Sequence, residues 1–87
     1  METYKKDILE NICYTELVYG RINKKLNISL PKEEIEKLVY DVIKYTDSAN
    51  FIKKGKNIYV NNKEKNIQLT INSFTYRIIT ADILTRK

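Results

Sequence analysis

Histidine and tryptophan are absent from this chain of 87 residues, and cysteine, proline and methionine occur once each. Without histidine the chain has no usual general base near neutral pH, and its one thiol, Cys13, has no imidazole to make it a thiolate. A single cysteine forms no internal disulfide, and a zinc cluster of Cys/His type is excluded. We therefore predict a protein that is not an enzyme and that needs no metal and no cofactor.

Long apolar runs and glycine-rich loops are also missing. Gly20 and Gly55 are the only glycines, so the chain has no glycine loop that could cradle a phosphate. No apolar run approaches the roughly 20 residues of a membrane span. The first residues, METYKKDILEN, lack the apolar stretch of a signal peptide. These absences predict a cytoplasmic protein that does not contact a membrane.

The composition is that of an ordinary globular protein, with 43% hydrophobic and 31% charged residues. A chain of this length makes one domain. We predict a single domain over residues 1–87, with a helical half at about 4–46 and a β half at about 51–84.

The helical half shows two apolar stripes that do not share one direction. Ile8, Leu9, Ile12 and Cys13 are spaced for one helix face, and a second face, turned by roughly a quarter circle at 100° per residue, contains Val18, Tyr19, Ile22 and Leu26. This favours a helix at about 5–13, in which Cys13 is a small buried residue, and a second at about 15–26 with Thr15 as its N-cap. One kinked helix over 4–26 is the alternative.

A third helix is predicted at about 31–46. Asn27 tolerates the left-handed conformation that ends helices, and Pro31 suits the start of the next one. After Pro31 comes the clearest amphipathic pattern of the chain, formed by Ile35, Leu38, Val39, Val42 and Ile43.

From residue 51 the apolar period changes to two, with strands predicted at FIKK, NIYV, NIQLTIN and TYRIITA. Gly55-Lys56 forms the first tight turn and NNKEKN the second. The predicted fold class is α+β, with two or three N-terminal helices packed on one face of a C-terminal antiparallel β-meander of three to four strands.

The stretch from Leu26 to Pro31 between two helices resembles a helix-turn-helix, and the following hairpin could be the wing of a winged helix. The exposed face of the third helix argues against DNA recognition, because acidic and basic side chains are mixed on it and the carboxylates would repel phosphates. Winged-helix DNA binding is therefore the less favoured interpretation.

Positive charge is concentrated in the β half. Residues 51–87 hold eight basic and two acidic side chains, a net charge of +6, against +1 for residues 1–26 and −2 for residues 27–50. Alternation places Tyr59, Gln68, Thr70 and Arg77 on the outer sheet face. The candidate residues for binding an anionic partner or nucleic acid are Lys53, Lys54, Lys56, Tyr59, Lys63, Lys65 and Arg77. The alternative is that these charges only protect the sheet from aggregation.

A second candidate surface lies on the helical half. Tyr14, Leu17 and Arg21 point away from both apolar stripes, and such a cluster has the composition of a protein interface or a dimer contact. The alternative is that a bend near residue 15 brings these side chains into the core.

Three stretches, NICYTELVYGRINKKL, KKGKNIYV and INSFTYRIIT, resemble a family of short bacterial proteins known only as a domain of unknown function. The resemblance covers nearly the whole chain. It implies that an arginine recurs at the place of Arg77, which makes Arg77 a candidate functional residue. No activity is implied by it.

Two functional hypotheses follow from these patterns. The first is a small regulator or inhibitor, of the compact kind carried by phages and mobile elements, whose basic β-face docks on an acidic protein surface or in a nucleic-acid channel of a host complex. The second is a nucleic-acid-binding module that uses the same face. Both are compatible with a monomer or a homodimer.

Overall fold

The computed structural model describes residues 3–85 and contains three α-helices followed by four strands. The helices are α1 (Thr3–Asn11), α2 (Val18–Leu26) and α3 (Lys32–Tyr45), and one 3₁₀ turn (Ser48–Asn50) leads into the sheet. The strands are β1 (Phe51–Lys54), β2 (Asn57–Asn62), β3 (Ile67–Asn72) and β4 (Ile78–Ile83). The predicted α+β class with an antiparallel meander is confirmed, and residues 4–26 contain two helices rather than one kinked helix.

The sheet has the order β1-β2-β3-β4 with antiparallel neighbours, so its two edges are β1 and β4. Ile58 and Val60 of β2 and Leu69 and Ile71 of β3 are buried against the helices, while the residues between them face outward. Gly55 has the positive φ of 63° that the tight turn between β1 and β2 requires. The period of two therefore predicted the faces of both central strands correctly.

The core lies between the inner sheet face and the apolar stripe of α3. Ile35, Val39, Val42 and Ile43 are fully buried in it, and each gains about 1.5–3 kcal/mol from leaving water. Leu38 packs only partly against this core. The opposite face of α3 is exposed and carries the mixed charges expected from the sequence.

Three local expectations were wrong, and they concern the two turns that meet beside β4. The fourth strand begins at Ile78 rather than near Thr75, because Tyr76 has a left-handed backbone with φ 60°. Cys13 is exposed rather than buried, because α1 ends at Asn11 and Cys13 forms a parallel bridge with Arg77. Thr15 is not the N-cap, since Leu17 occupies that position without a side-chain hydrogen bond.

Candidate functional site

Residues from both predicted surfaces line one cleft of about 290 Å³ between the start of α2 and the start of β4. We call it the arginine cleft, and it is lined by Thr15, Leu17, Val18, Arg21, Arg77, Ile78 and Ile79. Val18 and Ile78 are buried and form its floor. The cleft thus joins Arg77, a candidate from the β half, to Leu17 and Arg21, which were candidates from the helical half.

The backbone at Arg77 is held from both sides. On one side the amide of Asn72 donates to the Arg77 carbonyl at 2.9 Å. On the other, the amide of Cys13 donates to the Tyr76 carbonyl at 3.2 Å and the amide of Ile78 donates to the Cys13 carbonyl at 2.9 Å. The backbone of Arg77 is therefore fixed, and within residues 3–85 no hydrogen bond or ion pair involves its guanidinium group, which is exposed.

The turn before Arg77 is also tied down by side chains. The Oδ1 of Asn72 accepts hydrogen bonds from the amides of Phe74 and Thr75 at 2.8 and 2.9 Å. The Oγ1 of Thr75 accepts from the amide of Arg77 at 3.3 Å. These bonds stabilise the left-handed backbone conformation of Tyr76, which is uncommon for residues other than glycine. Backbone strain of this kind clusters at functional sites, which supports a functional role for the turn that contains Tyr76 and Arg77.

Arg21 and Leu17 supply the helical wall of the arginine cleft. The Nη1 of Arg21 donates to the carbonyl of Ile79 at 3.3 Å, which covers part of the β4 edge. A guanidinium has five N–H donors, so this bond leaves donors for a ligand. Leu17 is 77% exposed beside it. Two guanidinium groups and one exposed aliphatic side chain therefore face the same space.

Neighbouring carboxylates are engaged elsewhere. Glu16, next to Leu17 in the chain, accepts from the ammonium group of Lys32. Asp82 on β4 is 3.4 Å from the ammonium of Lys25. Between Asp47 and Asp82 the sequence contains a single acidic residue, Glu64. The arginine cleft therefore carries an excess of positive charge, which attracts anionic groups.

Tyr14, the third residue of the predicted helical patch, has a different role. Its ring stacks on Tyr19 with 5.7 Å between ring centroids, and its hydroxyl donates to the carbonyl of Glu36. Burial raises the pKa of Tyr14 well above its ordinary value, and a 2.6 Å hydrogen bond to the Glu36 carboxylate raises the pKa of Tyr19 to about 12. Tyr14 therefore packs at the margin of the core. This agrees with the alternative interpretation of the cluster, in which its side chains pack into the core.

The outer sheet face forms a second, shallower pocket of about 320 Å³. Lys54, Tyr59 and Gln68 line it together with Ile52 and Asn61. Gln68 donates to the Asn61 side chain at 2.9 Å, so the two amides hold each other. This pocket therefore combines one aromatic ring, one cation and a pair of amides.

Thr70 and Arg77, which were also predicted to lie on the outer sheet face, do not line this pocket. Thr70 lies next to Tyr59 in the β2–β3 register. Arg77 lies in the arginine cleft.

The remaining predicted cations are divided between the two ends of the sheet. Lys53 donates to the carbonyl of Gly55 at 3.1 Å, and Lys56 is in the same turn. Lys63 and Lys65 are in the β2–β3 turn, at the far end of a six-residue strand. A strand of that length spans about 17 Å. The lysines therefore do not form one continuous basic track along the sheet.

Sequence reasoning missed the contact that assembles the arginine cleft. Cys13 and Arg77 are far apart in the sequence and form a single isolated parallel bridge. A bridge of one residue pair produces no periodic pattern in the sequence. Phe74, in the turn before Arg77, was also missed and is 72% exposed. A large apolar side chain inside a polar turn was the available signal for it.

The family described as "Protein of unknown function (DUF3781)" matches residues 6–82. The chain belongs to this family. No curated protein and no solved structure matches the DUF3781 chain at a significant level. Within residues 3–85 no helix is long and apolar enough to cross a membrane, and no three acidic or cysteine side chains are grouped to hold a metal ion.

Proposed function

We propose that this DUF3781 protein is a non-enzymatic binding module that regulates or inhibits a protein partner, and that it docks through the arginine cleft on an acidic segment of that partner. The observation that supports this most directly is the convergence of Arg21, Arg77 and Leu17 on one cleft. Arginine is enriched among the residues that contribute most to protein interfaces.

The exposed aliphatic side chain favours a protein segment over a nucleic acid as the ligand. Leu17 lines the same cleft as the two arginines and would bury its apolar surface against a partner side chain. Burial of a leucine side chain contributes about 1.5–3 kcal/mol, and this contribution is not weakened by salt. Carboxylates of the partner would meet the guanidinium groups in bidentate fashion.

Nucleic-acid binding on the outer sheet face is the second candidate. The pocket around Tyr59 supports it, because an aromatic ring can stack a base while Lys54 meets a phosphate. The separation of the cations at the two ends of the sheet weighs against a long phosphate track. This candidate predicts binding of labelled single-stranded oligonucleotides that persists at physiological salt and weakens in Tyr59→Ala.

The proposal is tested with a display library of random peptides selected on the intact protein at physiological salt. We expect enrichment of peptides in which Asp or Glu is next to an aliphatic residue. The double variant Leu17→Asp, Arg77→Ala should bind these peptides about thirtyfold more weakly, which is the loss expected for an interface hot spot.

Lys63→Ala is the matched control, because Lys63 is an exposed cation in the turn at the opposite end of the sheet. It should change the affinity by less than about twofold. Leu17 and Arg77 are both exposed, so their substitution should not lower stability by more than about 0.5 kcal/mol. Equal binding by the double variant and the wild type, at equal stability, contradicts the proposal.

A further inference from the structure

We infer that the acidic segment is bound as an extended peptide along the whole seam between α2 and β4, with an aliphatic side chain of the partner in an apolar pocket at the far end. This inference rests on the proposed function and specifies its ligand. It is carried by two further cavities, of which one shares Arg21 with the arginine cleft and the other shares Ile83 with the first.

The first of these cavities continues the seam directly. It has a volume of about 740 Å³, and Arg21 belongs both to it and to the arginine cleft. Lys24 and Lys25, on the last turn of α2, add two more cations to its wall. A partner carboxylate would compete there with Asp82, which lies 3.4 Å from the Lys25 ammonium. The middle of the seam is therefore also suited to an acidic chain.

Gly20 keeps this middle part open. It lines the cavity from within α2, and a Cβ placed on it would meet nothing within 4 Å. Glycine weakens a helix compared with alanine, so its place in α2 is not explained by helix formation. Any longer side chain at this position would project into the seam.

The second cavity is apolar and lies at the end of α2. Its volume is about 460 Å³, and it shares Ile83 with the basic middle part. Its lining is aliphatic apart from Lys65 and Asn66 at one side, and it consists otherwise of Leu26, Ile28, Leu30, Leu38, Ile67 and Ile83. A pocket without aromatic residues suits a leucine, isoleucine or valine side chain, and Lys65 suits a carboxylate next to it.

The loop that forms one wall of the apolar pocket is fixed before any ligand binds. Asn27 ends α2 with φ 57°, and the amide of Ile28 donates to the Asn23 carbonyl at 2.9 Å. The Asn23 side chain also donates to the Leu30 carbonyl and accepts from the Leu30 amide, both at 3.0 Å. A preformed pocket costs less to fill because little side-chain and backbone freedom is lost on binding.

The length of the seam sets the length of the ligand. It runs from Arg77 to Ile83 beside β4. Six steps along a strand cover about 20 Å, which an extended peptide spans with about six residues. The bound segment should therefore place an aliphatic residue about six positions from its contact with Leu17, with acidic residues between the two.

The peptides selected in the display experiment test this inference by fluorescence anisotropy. We expect Gly20→Phe to weaken binding by about tenfold, because the ring fills the basic middle of the seam. Gly20→Ala is the control and should stay within about twofold of the wild type, since its methyl group leaves the seam open. The peptide variant in which serine replaces the aliphatic residue proposed to fill the apolar pocket should also bind about tenfold more weakly.

Lys24→Glu, an exposed charge reversal on the same wall, provides a second variant and should also weaken binding about tenfold. The inference of a peptide bound along the seam is overturned if Gly20→Phe and Lys24→Glu bind the peptides like the wild type while the double variant Leu17→Asp, Arg77→Ala does not. The proposed function then stands with a ligand confined to the arginine cleft. If no peptide is enriched, or if binding is indifferent to all of these variants, both proposals fail.

Discussion

Replacement of Gly20 by alanine should stabilise the DUF3781 protein. Gly20 is an exposed residue of α2, its φ is not in the left-handed region, and an added Cβ meets no atom within 4 Å. The substitution therefore costs no contact, and it removes the backbone freedom that glycine has in the unfolded chain. The expected gain is about 0.5–1 kcal/mol, with the lower value applying because Gly20 is in the first turn of the helix.

Gly55→Ala is the opposite case and the matched control. Gly55 has φ 63° in the β1–β2 turn, where a side chain is strained whatever the surrounding space. A non-glycine residue in this region costs about 1–2 kcal/mol. The two alanine substitutions therefore have opposite signs at the only two glycines of the chain.

Thermal unfolding followed by circular dichroism measures both effects. For a domain of this size, 1 kcal/mol shifts Tm by about 4–8 °C, so Gly20→Ala should raise Tm by about 2–4 °C and Gly55→Ala should lower it by at least about 4 °C. A fall of Tm in Gly20→Ala would show that the space beside α2 is not open. That result would also remove the basis for a peptide bound along the seam between α2 and β4.

Two further predictions concern polar groups. Thr46 is buried, its hydroxyl donates to the Val42 carbonyl, and it accepts from the Asn62 amide at 3.0 Å. Thr46→Val should therefore cost about 1–3 kcal/mol in urea unfolding, and an unchanged midpoint would mean that the buried amide finds another partner. The hydrogen bond to Glu36, together with burial, raises the pKa of Tyr19 from 10 to about 12, so folding favours the neutral phenol. Its contribution to stability is complete below pH 10 and is lost as the pH rises toward 12. Tyr19→Phe should flatten the decline of the free energy of unfolding in this window, and parallel declines in the two proteins would refute the assignment.

Most of the candidate residues could be identified from the sequence, but their grouping in one cleft could not. The cluster of Leu17 and Arg21 followed from their positions outside both apolar stripes, and Arg77 followed from strand alternation and from the family resemblance. The arginine cleft that joins them depends on the bridge between Cys13 and Arg77. That contact joins residues from the two ends of the chain and has no local pattern. The apolar pocket was missed because Leu26 and Leu38 read simply as core residues.

Local sequence patterns specify the order of helices and strands, the face that each central strand turns to the core, and the concentration of positive charge in the β half. These features depend on local periodicity and composition, which the chain carries without reference to its fold. Three features depend instead on the three-dimensional packing: α2 packs against β4, Cys13 pairs with Arg77, and Gly20 lies in an open seam. Those outcomes depend on the packing of segments that are distant in the chain, and burial against the core, rather than any local preference, selects that packing.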